Sequence, residues 1–162
     1  MRNYFQFLLV LLFFISCQKE TQNNIDISNI EANFKVFRFE QDFYTNKGQN
    51  LVELKENFPL LFPDETPDSI WIAKINNPDE QELFQETQKK YNSLLHIEEE
   101  LSKLFKHIKY YNPTFLAPDV ITILSNIDYT YRTIYTDNLL FISLDVYSGD
   151  DHPFYNDYPF YI

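Results

Sequence analysis

The stretch DVITILSNIDYTYRTIYTDNLLFISLDVYSGDDHPFYNDYPFY, residues Asp119 to Tyr161, carries three strand-like runs followed by an acidic, aromatic loop. Val120 to Leu124 is apolar and β-branched, bounded by Pro118 and by Ser125-Asn126, and it predicts a buried strand. Tyr129 to Tyr135 alternates, with Tyr129, Tyr131, Thr133 and Tyr135 on one side and Thr130, Arg132 and Ile134 on the other, the period of a second strand. Leu139 to Val146 is the third. Thr136-Asp137-Asn138 separates it from the second, and Asp-Asn tolerates the left-handed backbone of a tight hairpin turn. Together the runs predict a three-stranded antiparallel meander, and periodicity says nothing of its activity.

A chain of 162 residues with 44% apolar and 18% aromatic content suits one domain with an ample core, which excludes disorder throughout. The net charge is −11, and becomes −12 without the first sixteen residues, which hold one Arg and no acid. Phosphate backbones need a basic face, and no Lys/Arg cluster occurs, so nucleic acid is excluded as a partner. Two glycines leave no loop to cradle phosphates.

Arg2 followed by the unbroken apolar run Phe7 to Ile15 has the form of an export signal. Nine apolar residues are too few to span a hydrocarbon core, which takes about 20 in a helix. Phe14-Ile15-Ser16-Cys17 resembles the lipobox of bacterial lipoproteins, with Phe14 where Leu is usual, and the resemblance implies a lipidated Cys17 as the mature N-terminus. The alternative is an ordinary secretory signal followed by an unrelated Cys. As the sole cysteine, Cys17 has no intramolecular disulfide partner. Residues 1–16 are therefore expected to be a signal peptide, 17–31 a polar tether and 32–162 a single domain. Gln18-Lys19-Glu20 also resembles the sorting signals of surface lipoproteins in the Bacteroidetes.

Phe34, Val36 and Arg38 alternate with Lys35, Phe37 and Phe39, predicting a first strand able to join the later sheet at an edge. Leu51, Leu54 and Phe58 predict a short helix stopped by Pro59, and Asp68 is placed to cap a turn holding Ile70, Trp71 and Ile75. Asn77-Pro78-Asp79-Glu80 is a compact helix start, and that helix should run to about Tyr91. A second long helix begins between Ser93 and Ile97, with an apolar stripe of Ile97, Leu101, Leu104, Phe105 and Ile108. Glu99 is expected to pair with Lys103, and Asn112-Pro113 closes the helix.

Any histidine chemistry must use His96, His107 or His152. His96 and His107 are eleven residues apart on one helix, about 16 Å along its axis, too far to share a metal ion. His96 with Glu99 and Glu100 has ligand-like spacing but no second motif to complete a site, so a charge cluster at the helix start is the expectation. Asp145, Asp150, Asp151 and His152 surround Gly149 and, with Phe154 and Tyr155, form the candidate interaction surface. The alternating order of a calcium loop is missing there, and Asp and Gly also serve an ordinary turn. No serine has a G-x-S-x-G context, so no catalytic residue, metal or cofactor is assigned.

The strings Phe105-Lys106-His107-Ile108-Lys109-Tyr110-Tyr111 and Leu140-Phe141-Ile142-Ser143-Leu144-Asp145-Val146-Tyr147, with Pro67-Asp68-Ser69-Ile70-Trp71 and Glu98-Glu99-Glu100-Leu101, resemble the gliding-motility lipoprotein GldB family of the Bacteroidetes. The resemblance runs from the lipobox to Ile162 and implies a lipid-anchored envelope protein linked to type IX secretion and motility proteins, with no known catalytic residue. That family looks distantly like zincin-type metallopeptidases, but H-E-x-x-H is missing from this sequence. Its members continue past the position of Ile162, so truncation is expected, with Phe154, Tyr155, Tyr158, Phe160 and Tyr161 left for a partner to cover. The expected fold is α+β, helices first and then a small antiparallel meander, distantly zincin-like. The expected function is binding of motility or secretion proteins from a membrane anchor at the periplasmic face or outer membrane, and the alternative is a zincin-like metal-dependent hydrolase.

Overall fold

The computed structural model describes residues 25–45 and 47–149. Cys17 and the Asp150 to Tyr155 part of the candidate surface lie outside them, as do the other C-terminal aromatics. The chain enters through strand β1 (Val36–Arg38) and passes directly into helix α1 (Phe39–Thr45). Helices α2 (Leu51–Asn57), α3 (Asp68–Ile75), α4 (Pro78–Lys90) and α5 (Leu95–Tyr111) follow, then strands β2 (Asp119–Ile123), β3 (Thr133–Thr136) and β4 (Leu139–Ser143). Single turns of 3-10 helix occupy Pro59–Leu61, Tyr129–Tyr131 and Leu144–Tyr147. The class is α+β: five helices and a small four-stranded sheet among the described residues.

The sheet is mixed, which corrects the antiparallel meander. Its order is β1-β2-β4-β3, with β1, β2 and β4 mutually parallel and only β3 antiparallel, on β4. The expected hairpin is present: Asp137 and Asn138 both take positive φ, 49° and 60°, the backbone of a two-residue turn. The first run, however, lies beside the third in parallel, because the chain from Leu124 to Arg132 crosses to the far edge before turning back. A parallel pair requires such a crossover. The second run is also shorter than its alternation suggested: Asp128 caps Tyr129–Tyr131 as a 3-10 turn, accepting from Thr130 N at 2.9 Å.

Register explains the core. Phe37, Ile121, Phe141 and Ile134 lie side by side across the sheet and share one face by the two-residue period. Against that face pack Phe43 and Tyr44 of α1, Leu51 and Leu54 of α2, Phe58, Phe62 and Ile75. Phe43 stacks on Phe39 at 5.2 Å between ring centres and meets Trp71 edge-on at 6.3 Å. The neighbouring row, Arg38, Thr122, Ile142 and Thr133, is on the opposite face.

Helix signals performed unevenly. Asn77 caps α4 as expected, accepting from Asp79 N at 2.9 Å and Glu80 N at 3.2 Å. Asp68 does not cap α3: Pro67 holds the cap position, and Asp68, one residue in, is paired with Lys55. On α5 Lys103 pairs with Glu100 at 2.7 Å rather than with Glu99. Of the stripe expected to be buried on α5, only Phe105 is, while Leu104 is 51% exposed and Ile97, Leu101 and Ile108 are half-buried. No described helix is long and apolar enough to cross a membrane.

Candidate functional site at the carboxyl ends of the parallel strands

Three parallel strands that point the same way deliver the residues after them to one edge of the sheet. After β1 comes Glu40, after β2 the turn Ser125-Asn126-Ile127, and after β4 Asp145. In open parallel sheets this edge is where ligands usually bind.

Asp145 is fully buried. Its carboxylate accepts from Ser125 N, at 3.1 Å to each oxygen, and from Ile127 N at 2.7 Å. Asn126 and Ile127 take φ of 57° and 60°. A β-branched residue in that region costs energy, on the order of 1 to 3 kcal/mol. The carboxylate offsets this by gathering the N–H groups that the turn turns inward, and the Ile127 side chain is buried. Burial raises the Asp145 carboxyl above the ordinary range, against the opposing pull of those N–H groups. Asp145 is therefore an interior brace, not part of an exposed surface.

Beside it, Tyr44 donates to Glu80 Oε2 at 2.6 Å, Lys74 pairs with the same oxygen at 2.8 Å, and Asn126 Nδ2 reaches Oε1 at 3.4 Å. Burial, the Glu80 bond and the negative charges of Glu80 and Asp145 push the Tyr44 phenol far up. The phenol is thus held as a donor. Glu40 is fully buried too; Arg38 donates to its Oε1 at 2.9 Å and Thr122 to its Oε2 at 2.6 Å. Gln88 of α4 joins by accepting from Arg38 at 3.0 Å and from Gln41 at 2.6 Å. Burial raises the Glu40 carboxyl, opposed by the Thr122 bond and then by Arg38.

Chemically, these groups bind one another. Each carboxylate has its lone pairs directed at donors of the same chain, and the arrangement ties the strand ends to α1, α3 and α4. The imidazoles of His96 and His107 are exposed on α5, and His107 Nδ1 lies 2.8 Å from the Lys103 carbonyl oxygen. Among the described residues no group of three or more His, Cys, Asp or Glu is placed to hold a metal ion. Sequence reasoning missed Glu40, Tyr44, Glu80 and Asn126. The one available signal was Glu40 itself, an acid inside the aromatic string Phe37-Arg38-Phe39-Glu40-Gln41-Asp42-Phe43-Tyr44.

A family model described as gliding motility protein GldB matches residues 20–162. No curated protein and no solved structure matches the chain, so the zincin likeness has no support. The family is one of gliding-motility lipoproteins, anchored by lipid in a membrane of the cell envelope. With the match extending over most of its length, the chain belongs to the GldB gliding-motility lipoprotein family.

Proposed function

We propose that this protein serves gliding and the type IX secretion apparatus by binding another envelope protein while lipid on Cys17 holds it at the membrane, and that it performs no catalysis. The observation that carries this reading is α5. Along one flank of a 17-residue helix, Ile97, Leu101 and Ile108 are half-covered and Leu104 and Tyr111 are 51% and 71% exposed, with Leu116 just beyond at 72%. An apolar stripe left partly wet on a helix of that length is what a protein interface looks like before its partner arrives. The polar cluster at the strand ends supports the same reading, since its carboxylates are engaged internally.

The test is complementation of a gliding-deficient deletion strain. L104K/L116K should leave the protein in the membrane fraction with an unchanged melt, abolish spreading, and lose the adduct that a photo-crosslinker at Tyr111 forms with a motility or secretion protein. Normal spreading by that double variant sinks the interface. C17S should move the protein out of the membrane fraction and abolish gliding; retention in the membrane fraction removes the anchor from the reading.

A further inference from the structure

Among the described residues strand β1 lies at one edge of the sheet, and β2 alone pairs with it. Val120 N donates to the Lys35 carbonyl at 2.8 Å, so Lys35 and Phe37 direct their backbone groups at β2. In a parallel ladder the residue between them points its N–H and C=O the other way. Val36 therefore turns a donor and an acceptor, with no hydrogen-bond partner among the described residues, to the outer edge, where a groove of about 490 Å3 lies between β1 and the first turns of α5. Phe34, Val36 and Leu95 give it apolar walls, and Leu95 is 63% exposed. Glu98, Glu99 and Lys103 line it as well. Lys103 is neutralised by Glu100 at 2.7 Å, whereas Glu98 and Glu99 form no ion pair among the described residues. The Lys35 side chain belongs to the other face of the strand.

We infer that this edge accepts an extended segment of a partner protein that carries apolar and basic side chains together on the face it turns to α5, added to the sheet beside β1. The backbone of such a segment would satisfy Val36, its apolar side chains would lie on Phe34, Val36 and Leu95, and its Lys or Arg would meet Glu98 and Glu99. Charge complementarity selects this occupant over a second copy, because two chains of net charge −11 repel and would bring acid against acid here. The groove is distinct from the Leu104 flank of α5, so failure at one site leaves the other standing.

The experiment titrates the full-length protein in detergent into a fluorescein-labelled peptide of repeating Val-Thr-Lys-Thr, which sets valine and lysine in turn on one face of a strand, read by anisotropy. Saturable binding is expected, weakened at least about tenfold by E98K/E99K and lost when glutamate replaces each peptide lysine. N-methylation of alternate peptide residues should abolish binding in one register and change it less than about twofold in the other, because only one register presents its N–H groups to β1. If E98K/E99K does not fold, as judged by its melt, E98Q/E99Q replaces it. No saturable binding, equal response to both methylation registers, indifference to charge, or self-association that the peptide does not compete overturns the inference.

Discussion

Helix α1 has 7 residues and buries three of them, Glu40, Phe43 and Tyr44, whereas α5 has 17 residues and buries one, Phe105. On paper α5 is the better helix, longer and more clearly amphipathic. The difference lies in what each meets. Helix α1 leaves β1 without a loop and lies across the row Phe37, Ile121, Phe141 and Ile134, with α2, α3 and Trp71 closing around it. Helix α5 touches a narrow seam, Phe34 edge-on to Phe105 at 5.0 Å and Phe115 tilted at 6.0 Å, and Lys109 holds the Glu31 carbonyl at 2.8 Å. Amphipathicity fixes which face of a helix wants cover, and the surrounding elements decide whether cover is supplied.

Phe43→Ala probes the covered side and carries the largest expected effect. It should cost about 3 to 5 kcal/mol, seen as a large fall in the denaturation midpoint, because the ring is 2% exposed within an aromatic cluster. Asp145→Ala comes next, at roughly 1 to 3 kcal/mol, since it strands the N–H groups of Ser125 and Ile127 in the interior. Removing the cap of α4 with Asn77→Ala should cost about 1 kcal/mol. On the other side, Leu104→Ser should change stability by less than about 0.5 kcal/mol in urea melts. A Leu104→Ser loss as large as that of Phe43→Ala breaks the comparison and means that α5 is covered.

Acid titration sharpens the covered side further. Glu40 and Asp145 have carboxyls raised by burial, so the folded state binds more protons than the unfolded state between the ordinary carboxylate range and the raised values. Stability from these two groups therefore increases as pH falls from neutrality through the raised values, and levels off below the unfolded ones. Glu40→Gln should flatten part of that rise in melting temperature while keeping an acceptor for Thr122. An unchanged slope in Glu40→Gln assigns the rise to other groups.

What the sequence made legible was local. The Asn77 cap, the Pro59 stop and the Asp137-Asn138 turn all follow from residues within a few positions of one another. Strand direction was not legible in this way. Val120 to Leu124 is apolar and β-branched whether its neighbour is parallel or antiparallel, and nothing in Ser125 to Arg132 announces a crossover. The polar cluster was hidden for a related reason: Thr122 is 82 residues from Glu40 and Tyr44 is 36 from Glu80, and no periodicity spans such distances.

The pairing of Val36 with Val120 has a temporal consequence. Synthesis delivers the N-terminus first, so β1 must wait through the 84 residues that separate it from β2 before its backbone finds a partner. Closing so long a loop adds little to the equilibrium cost, but topologies rich in distant contacts fold slowly. The β3–β4 hairpin and the helices have partners close in sequence and need no such long closure. The topology thus predicts that the parallel heart of the sheet closes last, with Phe37 and Phe39 uncovered until then, and late amide protection at Val120 relative to Phe141 in pulse-labelled refolding would check it.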